Sequence, residues 1–160
     1  MCWPIDTQLL SEGEFKYYSE LCIGDYVYSV NNQLVLEAVN ITNLRVWDYD
    51  DYSILIEGKR FDHYLGKDHP ILIKKASSKK FQRLTPCFLD NPAQDTIIYN
   101  TLYPKVVNNR IYLNNACIIP KTMVSYKRDN QQYFCIETDG SFDFPLFLRR
   151  NDKVAILWNL

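Results

Sequence analysis

At 160 residues the chain suits one domain with a true core, since a chain of that size removes roughly 68–70% of its unfolded surface from water. Lys and Arg total 18 against 19 Asp and Glu, and the net charge of −1 excludes the strongly basic balance that a phosphate backbone or anionic membrane would call for. The five cysteines (Cys2, Cys22, Cys87, Cys117 and Cys135) lack C-x-x-C spacing and only His63 and His69 are present, which argues against a disulfide framework, a zinc knuckle or a multi-histidine metal site.

Tyr and Phe are abundant, at 12 and 8 residues, and this favours half-buried strands over helices, so an all-β fold is expected. In chain order the pattern predicts a strand over Asp25 to Val30, a turn at Asn31-Asn32, and strands over Gln33 to Val39 and Ile41 to Trp47. An acidic turn from Asp48 to Asp51 leads to a strand over Tyr52 to Ile56, and Glu57-Gly58 makes a hairpin connection into Arg60 to Leu65. The stretch from Lys74 to Pro120 carries Pro86, Pro92, Pro104 and Pro120, and reads as long connections with strands only at Thr96 to Tyr99 and Arg110 to Leu113. Within it, Lys74, Lys75, Lys79 and Lys80 read as a solvated turn face and Asn91 to Gln94 as an exposed loop. Strands resume at Met123 to Tyr126, Tyr133 to Thr138, Leu146 to Arg149 and Val154 to Trp158, with a turn at Asp139-Gly140. No solenoid-type repeat is present, no apolar run reaches the ~18 residues of a membrane span, and the start lacks the regions of a signal peptide. A monomeric, cytoplasmic protein with reduced thiols and no nucleic acid or membrane partner is expected.

Singly, Cys2, His69 and Asn159 suit a frayed terminus, a satisfied loop histidine and a tail. Their order and surroundings change that reading. Cys2 is followed five residues later by Thr7 and then by Leu9-Leu10, and Leu21-Cys22-Ile23-Gly24-Asp25 opens the strand that ends at Val30. Gly66-Lys67-Asp68-His69-Pro70-Ile71 comes next, then Tyr133-Phe134-Cys135-Ile136-Glu137, and finally Leu146 to Asn159. These blocks, in this order, resemble the splicing blocks of inteins, and they are spread over nearly the whole chain, with the segment between His69 and Met123 contributing least. The resemblance implies a Hint (hedgehog/intein) domain over residues 1–160, a horseshoe of many short strands with a pseudo-two-fold and both termini adjacent at its centre. No room remains for an inserted endonuclease, which would add roughly 100–200 residues.

The resemblance also implies roles. The Cys2 sulfur would attack the carbonyl of Met1 and convert the peptide bond to a thioester, with His69 as acid for the departing nitrogen and Asp68 to orient it. The Asn159 side-chain amide would then attack its own main-chain carbonyl, form a succinimide and release residue 160. No cofactor or metal enters this chemistry. The partners implied are the flanking segments in cis, or a complementary fragment if the gene encodes two halves.

Departures from the family pattern are specific. Gly66 stands where Thr usually precedes the block histidine, Trp158 where His usually precedes the final Asn, and Cys135 where Asp is frequent. A Cys at that position is the branching nucleophile in inteins that lack the N-terminal Cys and carry Trp two residues after the histidine, but here Cys2 is present and that position is Ile71. Cys135 is therefore read first as assisting catalysis, with a plain buried thiol and a covalent intermediate as the alternatives. Leu160 offers no nucleophile to accept the N-terminal segment, so ligation should stall. One alternative is a hedgehog-like or bacterial intein-like domain that cleaves without ligating. Another is a non-catalytic β domain that binds protein through its tyrosines.

Overall fold

The computed structural model describes residues 3–30, 36–59, 62–66, 69, 71–75, 82–84, 96–107, 110–118, 122–127, 131–140 and 145–158. Among these there is no α-helix, and one 3₁₀ turn over Tyr18–Glu20 is set among strands. The strands are β1 (Trp3–Pro4), β2 (Gln8–Ser11), β3 (Glu14–Lys16), β4 (Tyr26–Val30), β5 (Leu36–Tyr49), β6 (Tyr52–Glu57), β7 (Asp62–Gly66) and β8 (Ile71–Lys75). They continue as β9 (Gln82–Leu84), β10 (Thr96–Val107), β11 (Arg110–Ile118), β12 (Thr122–Lys127), β13 (Gln131–Thr138), β14 (Pro145–Arg150) and β15 (Lys153–Trp158). The all-β expectation holds.

An eight-stranded sheet runs β1-β13-β5-β4-β14-β2-β3, with β15 paired to β14 and β2 also touching β4. Two smaller sheets run β11-β10-β8-β9 and β12-β6-β7. The large sheet cannot be flat. Through the direct β2–β4 pairing four strand spacings separate β1 from β2, or about 19 Å at ~4.8 Å each. Only Ile5 to Thr7 joins them, and four residue steps from Pro4 to Gln8 reach at most ~14 Å. The sheet therefore curls until its two ends approach each other, and the first residues close the gap.

Two predicted strands are one. The fourteen-residue β5 pairs with β4 up to Asn40 and with β13 from Ile41 onward, so a single ribbon runs through both halves of the sheet. Asn40 suggested a break, but the strand passes through because Asp139 occupies its lateral hydrogen-bonding positions. The Asn40 backbone N–H donates to Asp139 Oδ1 at 2.7 Å, the Asn40 side-chain amide donates to Asp139 Oδ2 at 2.9 Å, and the Asp139 N–H donates to the Asn40 carbonyl at 3.0 Å. Gly140 lets this turn close, because a Cβ there would lie 2.7 Å from Val39 Cγ1.

The prolines also misled the reading of the middle region. β10 and β11 form a long hairpin that contains Pro104 opposite Leu113. Proline is tolerated because β10 meets β8 only from Thr96 to Ile98, so beyond Ile98 its ladder is with β11 alone. Lys74 and Lys75 belong to β8 rather than to a turn, while Lys79, Lys80, the Asn31-Asn32 turn and the Asn91 to Gln94 loop lie outside the described residues.

The core gathers Trp3, Leu9, Leu21, Val27, Val39, Ile41, Ile54, Ile56, Leu65, Phe134, Ile136 and Leu148. Full burial of each such side chain contributes roughly 1.5–3 kcal/mol relative to exposure. Trp3 and Phe134 are both fully buried, which pins the short strand β1 to β13 although only two residues of β1 make ladder pairs.

Candidate functional site

The histidine segment is placed by β7. Leu65 points into the core, β7 ends at Gly66, and the His69 backbone N–H donates to the Gly66 carbonyl at 2.9 Å, closing a tight turn. That turn carries the His69 side chain inward, where it is 1% exposed. Its ring meets the indole of Trp3, with centroids 6.2 Å apart and planes inclined at 55°. The indole also meets the ring of Phe134, at 5.7 Å and 54°.

These contacts bring three sequence-distant blocks together. Trp3 is covalently joined to Cys2, and Phe134 to Cys135. The β1–β13 register pairs Trp3 with Phe134 and Pro4 with Tyr133, and the Ile5 N–H donates to the Gln132 carbonyl at 3.1 Å. Cys135 is a partly exposed thiol on β13, outside any disulfide and opposite Arg45. Thr7 is buried, and its N–H donates to the Pro4 carbonyl at 2.9 Å, so the Ile5-Asp6 turn is fixed immediately after β1.

Gly66 has a clear steric reason. A Cβ at this position would sit 3.2 Å from the hydroxyl of Tyr49, which donates to the Tyr52 carbonyl at 2.9 Å. The Tyr49 ring lies 4.1 Å from that of the buried Tyr133, whose hydroxyl is hydrogen-bonded to Ser53. A tyrosine hydroxyl thus occupies the space that a larger side chain at position 66 would fill. Nothing in the sequence pointed to Tyr49, because it comes from a strand seventeen residues earlier.

Trp158 ends β15 with its backbone opposite Pro145. Cys2, Asp68, Asn159 and Leu160 lie outside the described residues. Among the described residues no group of three or more His, Cys, Asp or Glu side chains could hold a metal ion, and no helix is long and apolar enough to cross a membrane. An open recess of about 520 Å³ beside the β1–β13 pairing is lined by Ile5, Asp48, Tyr49, Asp50, Gln131 and Gln132, with no Cys, Ser, Thr or His among these residues.

A charged cluster was also missed by sequence reasoning. Asp62, at the start of β7, is 8% exposed and accepts hydrogen bonds from the guanidinium of Arg150 and, at 2.8 Å, from the side-chain amide of Asn151. The guanidinium also lies 4.5 Å over the ring of Tyr64 and pairs through Nε with Asp6 at 3.5 Å. Beside it His63 is fully buried, and burial, followed by the nearby Arg150 charge, lowers its pKa from 6.5 to about 3. The signal available in the sequence was the Arg149-Arg150 pair on an otherwise apolar strand, since a charge drawn toward the core must find a partner.

No family model matches the sequence, and no curated protein matches it. The backbone is similar to solved structures over nearly its whole length. A class 3 split intein, AceL NrdHF, aligns with a TM-score of 0.70 at 12% identity, covering 99% of this chain and 98% of that one. An intein from a hyperthermophile aligns with a TM-score of 0.70 at 14% identity, covering 98% of each chain. A bacterial intein-like domain from Clostridium thermocellum aligns with a TM-score of 0.62 at 12% identity, covering 98% of this chain and 97% of that one. With its curled β sheet, nearly complete mutual coverage and intein-type block order, this chain has the Hint fold shared by inteins and intein-like domains.

Proposed function

We propose that this chain is a protein splicing element of mini-intein size, a single domain over residues 1–160 without an inserted nuclease. It rearranges and cuts its own flanking peptide bonds once and does not turn over. The observation that carries this reading is the contact of Trp3 with His69, because it sets the only histidine of the Asp68-His69 block beside the residue bonded to Cys2.

In the first step the Cys2 thiol gives up its proton to solvent or a nearby base and its sulfur adds to the Met1 carbonyl carbon, the bond from that carbon to the Cys2 nitrogen breaks, and His69 delivers a proton to that nitrogen, so that one proton leaves sulfur and one reaches nitrogen. Asp68 orients His69. Cys135, next in sequence to Phe134 in the same aromatic cluster, assists this junction. Backbone donors stabilise the oxyanion, at typically ~3 kcal/mol each. In the last step the Asn159 side-chain nitrogen attacks its own main-chain carbonyl and displaces the nitrogen of Leu160, leaving a succinimide. Holding the reacting atoms in place supplies much of the acceleration, since oriented intramolecular reactions reach effective molarities of roughly 10⁵–10⁸ M. Leu160 stops the ligation step because it has no side-chain nucleophile. The partners are the flanking segments in cis, or a complementary fragment if the halves are separately encoded, and the setting is the reducing cytoplasm. The steps require no cofactor.

The second reading, cleavage without ligation, is favoured by Leu160 and by the likeness to the Clostridium thermocellum domain. Reporters fused to both ends, with Leu160 replaced by Ser, Thr or Cys, separate the two. A joined product that Cys2→Ala and Asn159→Ala each abolish supports splicing. Release of the N-terminal reporter alone supports the second reading, and the absence of any cleavage refutes both.

A further inference from the structure

The Arg150 cluster joins three segments that the proposed reaction must keep in register. Asp6 is in the turn that follows β1, four residues after Cys2. Asp62 opens β7, the strand that leads to His69. Arg150 and Asn151 are at the tip of the β14–β15 hairpin, whose second strand leads to Asn159. The hairpin is further tied to the loop before β7 by Lys153, whose ammonium donates to the Gly58 carbonyl at 3.0 Å.

We infer that Arg150 is a positioning residue of the splicing site, and that its ion pair with Asp6 sets the N-terminal junction against the histidine strand; this inference rests on the function proposed above. The guanidinium suits the task because it is planar and multiply donating, so one group reaches two carboxylates from different segments while its face rests on Tyr64. The two arms differ. The Asp62 side chain is 12% exposed and makes the hydrogen-bonded arm, whose loss would leave the largely enclosed Arg150 guanidinium with only the weaker Asp6 contact and disturb the fold. The Asp6 side chain is 43% exposed and pairs at 3.5 Å, an electrostatic contact that can be removed with little effect on packing. Its effect on the reaction is larger than on stability, because a small misplacement of reacting atoms can slow a step by up to about 100-fold.

The test uses the full chain with a reporter before residue 1 and another after residue 160. Release of the first by dithiothreitol and of the second by Asn159 cyclisation are followed separately. Asp6→Asn is expected to slow N-terminal release by about 10-fold, to leave C-terminal release within about twofold, and to leave the thermal midpoint and near-ultraviolet dichroism unchanged. Asp6→Glu, which keeps the charge, restores most of the N-terminal rate. Equal slowing of both releases, or no slowing, with the parent chain active, overturns the inference. Absence of N-terminal release from the parent chain instead removes the proposed function.

Discussion

His63 offers a measurable link between burial and acid sensitivity. Its imidazole is held neutral in the fold, with burial first and the Arg150 charge second lowering its pKa to about 3, while Asp62 and a hydrogen bond with the Lys153 backbone act in the opposite sense. The unfolded chain takes up a proton near pH 6.5 and the folded chain only near pH 3. Stability from this group is therefore complete above about pH 6.5 and is lost as pH falls toward 3. With a separation of about 3.5 pKa units, the loss reaches ~2 kcal/mol at pH 5 and at most ~5 kcal/mol in strong acid. Urea unfolding followed by tryptophan fluorescence at pH 7.5 and pH 5, for the parent and for His63→Gln, isolates this contribution from that of the carboxylates. The variant should lose about 2 kcal/mol less than the parent over that interval. Equal losses in the two chains, or a His63 ring resonance titrating near pH 6.5 in the folded protein, refute the reasoning; the second readout serves even if the variant folds poorly.

Other outcomes follow from the packing. Phe134→Ala removes a fully buried ring from between Trp3 and Tyr18 and should cost about 3–5 kcal/mol in denaturant unfolding. Gly66→Ala should cost on the order of 1 kcal/mol by pressing a methyl group toward the Tyr49 hydroxyl, and adding Tyr49→Phe should recover part of it as a non-zero coupling in a double-mutant cycle. Asn151 and Asp152 both adopt positive φ, 47° and 59°, at the β14–β15 turn, so Asp152→Gly should raise the thermal midpoint through a gain of roughly 0.5–1 kcal/mol.

Much of the architecture was legible because short runs rich in β-branched and aromatic residues, bounded by turn residues, do form strands. In β13, Tyr133-Phe134-Cys135-Ile136 sits where its pattern placed it, as do β6, β12, β14 and β15 within a residue or two. The misses have physical causes. Asn40 would end a strand in isolation, but a carboxylate ninety-nine residues away satisfies it, and no local window contains that partner. Pro104 would bar an interior strand, but it lies in a stretch of hairpin with a single neighbour in the ladder. At the candidate site, His69 was expected from its block, whereas Trp3 as its contact, Tyr49 as occupant of the space at Gly66, and the ion pairs of Arg150 could not be expected. Each is defined by chain segments that meet only after the sheet has curled.

The placement of β1 at one boundary of the large sheet and of β2–β3 at the other has a consequence for assembly. Residues 3–16 act as a clasp across the opening of the curl, and without them the backbone groups that β1 engages on β13, and those that β2 engages on β14, would face solvent. Such bare margins invite strand addition from another molecule. A polypeptide beginning after Lys16 should consequently oligomerise on its own and become monomeric when a synthetic peptide carrying the first sixteen residues is added, with the aromatic plug of Trp3 anchoring the returning strand.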